Sequence, residues 1–333
     1  MPCRLVVGGF WGDEGKGKII SYLALKDKLA IGARGGVGPN AGHSVQYQGK
    51  VFKLRMLPTT FLNANCRLLV GAGVLVNPKI FIDELQLTNS AGRAGVDSNC
   101  AIIEEKHIEA DKASAYLSNK IGTTGTGTGP CNVERVQRTA KTAKDVPELS
   151  SYTTDVAAEV NGAIDEGKNV LIEGTQGTFL SVYHGTYPYC TSKDVTASSI
   201  CGDVGVGPKK IDNVLIIFKA YVTRVGCGLL PGELSEEEAS RRGWTEIGTV
   251  TGRARRAAPF NFDLAKRAVM LNGATEIAIT KFDIVFPESK GAKDCDQFSS
   301  EAKDFIQKVE AVTKLPVKLI GTGPDTDEII DLR

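Results

Sequence analysis

Residues 4–20 read RLVVGGFWGDEGKGKII, and the order of residue types in that stretch decides the fold. An apolar, β-branched run leads into a glycine-rich turn carrying Asp13 and two lysines, and a helix-forming segment follows. Strand, glycine turn and helix in that order place backbone N–H groups around phosphate. Residues 12–18, GDEGKGK, fit GxxxxGK, yet Ile19 stands where a Walker A loop carries the Ser or Thr that holds magnesium. Phosphate transfer still needs a divalent ion to neutralise the oxygens, and Asp13 inside the turn offers a ligand. The plainer alternative is that Gly8, Gly9, Gly12, Gly15 and Gly17 only make a tight connection; two lysines and an acid in the same turn argue against it. A Rossmann site would need GxGxxG directly after the first strand. That pattern is absent there, and only a loose GxGxxA begins at Gly36.

Outward from this turn, short apolar runs recur: RLLVG at 67, AII at 101, NVLIEG at 169, NVLIIFKAYV at 213, EIAITKF at 276 and PVKLIG at 316. Continuous apolar runs bounded by glycine read as strands covered on both faces, hence a largely parallel sheet. Between them 78–89, 151–167, 261–272 and 299–313 read as helices, the third stopping at Gly273. SVQYQ and KVFKL flank a turn containing Gly49 and predict a hairpin. The expectation is one α/β domain over 1–333, with long functional loops at 121–133, 174–208 and 226–260.

The 333 residues are 42% hydrophobic, enough to bury a full core. Forty basic residues against 39 acidic leave no global field for nucleic acid or an anionic membrane, so anion binding has to be local. The eight cysteines (3, 66, 100, 131, 190, 201, 227, 295) form no CxxC pair, and only three histidines accompany them. Structural thiols in a reducing cytosol are therefore expected rather than zinc. The longest clearly apolar stretch, VLIIF at 214–218, is too short to cross a bilayer. The chain reads as a cytoplasmic protein.

Two further constellations carry chemistry. Thr280-Lys281-Phe282-Asp283 closes an apolar strand. Guanine presents a ring N–H and an exocyclic amine side by side; one carboxylate accepts from both, and adenine has no such donor pair. Asp283 is thus a candidate purine reader, with the Lys281 stem packing on the ring, although an isolated KxD is common by chance. In GGVGPNAGH, residues 35–43, a histidine after a glycine-rich bend can reach a γ-phosphate oxygen; the alternative is a turn with an incidental histidine. A regulatory GTPase would need a DxxG segment, and none occurs.

Taken in order, WGDEGKGK, GPNAGH, IGTTGTGTGP, EGTQGT, HGTYPYCTS, KAYVTRVG, GTVTGRARR, TKFD and GTGPD resemble the adenylosuccinate synthetase family, in a compact, archaeal-like form. The resemblance implies GTP-dependent condensation of IMP with L-aspartate, giving adenylosuccinate, GDP and phosphate. It implies Asp13 as general base, His43 as acid and hydrogen-bond donor, and Lys16 and Gln176 as further catalytic residues. GTP would meet Gly12, Glu14, Gly15, Lys16, Gly17, Lys18, Gly42, His43, Ser44 and Arg255, with the base seated by Lys281, Phe282, Asp283, Gly321, Thr322 and Gly323. IMP would meet Asp13, Lys16, Asn40, Ala41, Thr124, Gln176, Thr191 and Arg253, with Arg138 reaching in from the other subunit of a homodimer. Aspartate would meet Thr249, Val250, Thr251, Gly252, Arg253 and Arg255. One magnesium ion per site would be held by Asp13 and Gly42. Thr126 stands where many relatives carry arginine, Ala254 interrupts an arginine run, and Gly321 stands where relatives often have serine.

Overall fold

The computed structural model describes residues 2–248 and 252–333. Its strands, in chain order, are β1 Cys3–Gly8, β2 Ile31–Arg34, β3 His43–Tyr47, β4 Lys50–Leu54, β5 Arg67–Val70, β6 Ala94–Asp97, β7 Thr153–Thr154 and β8 Val170–Glu173. They continue with β9 Asn213–Lys219, β10 Tyr221–Arg224, β11 Glu246–Ile247, β12 Ala254–Pro259, β13 Glu276–Thr280, β14 Val317–Gly321 and β15 Ile329–Asp331. The helices are α1 Lys16–Lys26, α2 Pro78–Thr88, α3 Glu105–Ala113, α4 Thr128–Gln137, α5 Val156–Asp165, α6 Ala197–Val204, α7 Glu236–Arg241, α8 Phe262–Asn272, α9 Phe282–Val285 and α10 Ser300–Thr313.

The main sheet has ten strands in the order β15-β14-β13-β9-β1-β8-β2-β5-β6-β7. Every neighbouring pair in it is parallel except β14 with β15. The apolar runs are unbroken because both faces are covered. In β1, Leu5 and Val7 enter a core built with α5, α6, α8 and α10, while Val6 enters a second core built with α1, α2 and the hairpin β3–β4. Local chemistry sets the ends of the elements. Asn77 accepts from the Ile80 N–H at 3.1 Å to start α2, and Gly273, at φ 56°, ends α8. Gln48 and Gly49, both at positive φ, make the hairpin turn.

Several expectations need correcting. AII at 101 is no strand: Ala101 and Ile102 make only isolated bridges, to Thr142 and Val76. The strand there is β6, AGVD, whose glycine and aspartate give it no apolar run. NVLIIFKAYV divides at Ala220, so that β9 stays in the main sheet and β10 pairs antiparallel with β12. The helix expected over 151–167 begins at Val156, because Asp155 caps it and Thr153–Thr154 pair with β6. The three long loops hold structure of their own: α4 begins at 128, α6 lies within 174–208, and α7, β11 and β12 lie within 226–260.

The strand order positions the site. From β1 the chain passes over to β2, β5, β6 and β7, returns through β8 beside β1, and crosses to β9, β13 and β14. Such a reversal opens a crevice at the carboxyl ends of the strands. The segments following β1, β2, β8, β13 and β14 all reach that edge. Among the described residues no helix is long and apolar enough to cross a membrane.

Candidate active site

A cleft of about 590 Å³ runs along this edge. At its centre lies the turn after β1. Gly12, Asp13 and Gly15 take positive φ of 87°, 63° and 81°, and no side chain caps the N-terminus of α1. The unsatisfied N–H groups of that first turn make an anion site. Glu14 stabilises the turn from beneath: its carboxylate accepts the Phe10 and Gly12 N–H groups at 3.0 and 2.8 Å, and the Lys16 ammonium at 2.8 Å. Lys16 also donates to the Gln176 carbonyl, which ties the turn to the segment after β8.

Asp13 faces the cleft and pairs with Arg255 at 2.8 Å. Burial lifts its carboxyl above the usual range against the pull of Arg255, Lys219 and Lys16. Arg255 is gripped in turn by Glu246. His43 opens β3, with Nδ1 2.5 Å from Glu173 Oε1. A carboxylate only accepts, so Nδ1 carries the proton and Nε2 turns a lone pair on the cleft. Glu173 is fully buried at the end of β8 and also accepts from Arg34 at 3.0 Å and from the Thr59 N–H and hydroxyl at 2.7 and 2.9 Å. Burial first, and the Arg34 charge second, push the His43 imidazole down to about 4. At neutral pH it therefore carries no charge.

At one end of the cleft the Lys18 ammonium donates to the carbonyls of Gly323 and, at 2.8 Å, Glu328. This holds the segment after β14 against α1. Burial brings Lys18 down to about 8, although Glu328, Asp283 and Asp325 oppose the shift. Asp283 is close enough for its charge to act on Lys18 but is not among the cleft residues; it is 9% exposed, with Oδ1 lacking a partner. Burial raises its carboxyl, against Lys281. Toward the other end, Asn40 Nδ2 donates to Thr191 Oγ1 at 3.3 Å, Thr124 and Thr126 share a hydroxyl bond of 2.9 Å, and Arg253 donates to the Gly122 carbonyl at 2.9 Å. Asn40 Oδ1, His43 Nε2 and Gln176 Nε2 are buried without partners on residues that line the cleft. Native proteins leave few such atoms, and these three belong to residues that line one space.

The structure therefore brings together Gly12, Asp13, Gly15, Lys16, Gly17, Lys18, Asn40, Ala41, Gly42, His43, Ser44, Thr124, Gln176, Thr191, Arg253, Arg255, Lys281 and Gly323. Others lie apart. The Glu14 side chain is spent under the turn, the Phe282 ring packs in the core against Phe286 and Phe298, and the buried Thr322 hydroxyl donates to the Ala292 carbonyl. Gly321 sits over the Lys18 stem, and Gly252 is exposed. Arg138 is exposed at the C-terminus of α4 and is not among the cleft residues. Thr249, Val250 and Thr251 lie outside the described residues. The sequence reasoning missed Glu173, Glu246 and Asp111. The last accepts from the Thr123 hydroxyl and the Gly127 N–H, both at 2.8 Å, and so shapes the 122–128 loop. Of the three, Glu173 gave a signal: an acid closing an otherwise apolar strand.

Elsewhere Glu104, His107 and Glu134 come close enough to suggest a metal. However, Lys141 and Lys106 occupy the two carboxylates, and His107 Nδ1 accepts the Glu104 N–H, so this is an ion-pair cluster. Among the described residues no cysteine joins a metal-binding group; five are buried and Cys227 is exposed.

A model of the adenylosuccinate synthetase family matches residues 5–148 and 141–290. The adenylosuccinate synthetase of Archaeoglobus fulgidus is 55% identical over 333 residues, covering 100% of this chain and 99% of that one. That of Pyrococcus horikoshii is 54% identical over 336 residues, covering 100% and 99%. Among solved structures, the fully ligated adenylosuccinate synthetase of Plasmodium falciparum superposes with a TM-score of 0.91 at 24% identity, covering 99% of each chain. A succinoaminodeoxyadenylate synthetase of cyanophage S-2L, bound to dGMP and dATP as an energy donor, gives 0.81 at 23%, covering 99% and 95%. At those identities the two structures speak to the fold alone.

Proposed function

The chain belongs to the adenylosuccinate synthetase family, and we propose that the cleft at the carboxyl edge of its sheet is the site of that family's reaction. The activity is the GTP-dependent ligation of IMP and L-aspartate to adenylosuccinate, with release of GDP and phosphate, in purine biosynthesis. A 6-oxo group leaves poorly until it is phosphorylated, which is why the amination consumes a triphosphate. The observation that carries the assignment to this cleft is the set of buried, unpartnered polar atoms of Asn40, His43 and Gln176 around the phosphate turn, with Asp283 at the base end.

In this reading Asp13 takes the ring proton of IMP, and the 6-oxygen attacks the γ-phosphate to give 6-phosphoryl-IMP and GDP. The aspartate amine then expels phosphate. The raised Asp13 carboxyl suits a base. His43 meets the transferring phosphoryl through Nε2. To donate there it needs a second proton, which the phosphate charge favours and Glu173 stabilises from behind. The α1 N-terminus and Lys16 cradle phosphates, and Gln176 Nε2 is placed to donate to the 6-oxygen. Asn40, Ala41, Thr124, Thr191 and Arg253 line the side assigned to IMP, and Arg253 and Arg255 carry the charge that two aspartate carboxylates require. Thr249, Val250, Thr251 and Gly252 complete the aspartate set.

The donor set fits magnesium, a hard cation that takes oxygen donors: the Asp13 carboxylate and the Gly42 backbone would hold it. There the ion would neutralise phosphate charge. For Asp13 to ligate, Arg255 has to release it. At the base end Asp283 accepts the paired N–H donors of guanine, Lys281 covers the ring, and Gly321, Thr322 and Gly323 supply backbone. In the homodimer of this reading Arg138, exposed at the C-terminus of α4, completes the neighbouring site.

The test is direct. The protein with IMP, aspartate, GTP and magnesium should give the absorbance change of adenylosuccinate. No product with GTP, or equal rates with ATP, would count against the reading. Replacing Asp283→Asn should cut the GTP-over-ATP preference in kcat/KM by roughly ten- to hundred-fold, since a carboxylate with no competing donor is lost.

A further inference from the structure

We infer that Glu246 is a positioning residue for the triphosphate: one carboxylate that sets Arg255 at the phosphate end of the cleft and Lys281 at its base end. Four donors converge on it. Lys219 Nζ lies 2.9 Å from Oε2, Arg255 Nη1 donates to the same oxygen, the Tyr221 hydroxyl donates to Oε1, and Lys281 Nζ stands 3.9 Å from Oε1.

These partners divide by location. Lys219 and Tyr221 are buried where β9 passes into β10, and they are fixed. Lys219 is held also by the Thr223 hydroxyl at 2.6 Å, and the Tyr221 ring stacks on Trp244 at 4.7 Å and 15°. Trp244 lies two residues before Glu246, and the β11–β12 register sets Glu246 opposite Arg255. The carboxylate is thus anchored by rigid structure on one side and reaches two cleft side chains on the other. Arg255 spans between Glu246 and Asp13, using Nη1 for one and Nη2, at 2.8 Å, for the other. Arg255 can therefore leave Asp13 while Nη1 stays on Glu246, so the carboxylate serves as the pivot on which the guanidinium turns toward incoming phosphate. Burial opposes the Glu246 charge, but Lys219, Lys281 and Arg255 hold the carboxyl down at about 2, so it stays ionised at every working pH. A bare counterion for Lys219 would need none of the cleft contacts, yet Glu246 lines the cleft itself.

The inference rests on the reading that Arg255 and Lys281 serve the nucleotide. Steady-state kinetics on the full chain separates the two. Glu246→Gln should raise KM for GTP roughly ten-fold and lower kcat, because charge-assisted bonds become neutral ones, while KM for IMP moves less than about two-fold. Glu246→Gln leaves Lys219 buried and uncompensated, so the pair variant Lys219→Met/Glu246→Gln controls for folding. That variant should melt cooperatively and keep both defects. Recovery of wild-type kinetics in the pair variant, or unchanged GTP kinetics in Glu246→Gln, would show Glu246 to be only the counterion of Lys219 and overturn the inference. Wild-type GTP kinetics in Arg255→Ala would overturn the reading of the site, and this inference with it.

Discussion

Asp13, Gln176 and Lys281 are non-glycine residues held at φ of 63°, 56° and 55°, and all three line the cleft. Left-handed backbone costs an L-residue about 1–2 kcal/mol, and such strain persists where the surroundings over-determine it. At Asp13 the conformation swings the carboxylate out of the turn and into the cleft, while Glu14, next in sequence, takes the ordinary route under it. Asparagine tolerates the same conformation, so Asp13→Asn removes the charge and keeps the turn. That variant and His43→Ala should each lose about 10²- to 10⁴-fold in kcat, with melting temperatures near that of the parent. Near-normal turnover in either would strip that residue of its assigned role. Both residues were legible in the sequence, because each sits inside a run of glycines that has no other use for it. Glu173 gains its meaning from Arg34, 139 residues away, and Glu246 from Lys219, 27 residues away, together with Arg255, 9 residues away across a strand pairing. Spacing along a sequence does not report such contacts.

At the level of elements, the legible strands are those with a continuous apolar run, β1, β5, β8, β9, β13 and β14; β2 and β6 are buried throughout as well, without such a run. Strands such as β2, IGAR, and β6, AGVD, carry a glycine and a charged residue, and tertiary pairing overrides their weak propensity. The glycines that matter lie where segments touch. A Cβ on Gly177 would stand 2.6 Å from the Phe10 carbonyl and collide with the Gly12 N–H and the Glu14 carboxylate. Gly177→Ala should therefore part the segment after β8 from the phosphate turn, costing about 1–3 kcal/mol in denaturant unfolding and most of the activity. An unchanged midpoint and rate would mean that the two segments are not held in register. The second joint, Lys18 on the carbonyls of Gly323 and Glu328, is charge-dependent. Its ammonium titrates at about 8, below the usual value of 10.5, so the charged clamp is complete below that pH and is lost as pH rises through it. KM for GTP should climb between pH 7 and 9 in the parent and start high and stay flat in Lys18→Met. From pH 8 to 10.5 the unfolded chain binds the proton that the folded one has released, so this group's contribution to stability rises with pH. Alkaline loss of GTP affinity is then not incipient unfolding, and a melting curve at each pH checks the distinction.

For the molecule as a whole, the cleft belongs to the sheet's reversal point and collects residues from segments as distant as Trp11 and Pro324. The sequence motifs named most of those side chains, but only the strand order says why they meet. Arg138 is among the expected site residues that the cleft does not bring in. It closes α4 in left-handed backbone and is exposed, while Val133 and Val136 on the same helix are 57% and 69% exposed. The proposed homodimer would be an isologous contact, in which each copy lends the same patch to the other. If Arg138 completes the neighbour's site, an Arg138→Leu chain and an Asp13→Asn chain fail in different halves of it. Mixed in equal amounts and allowed to exchange, half of the dimers are hybrids. In each hybrid one site has both defects and the other has neither. About a quarter of all sites should then regain parental activity, from two preparations that are each nearly inactive alone. Confirmed heterodimers without that recovery would place Arg138 outside the partner's cleft and make each chain's site self-contained.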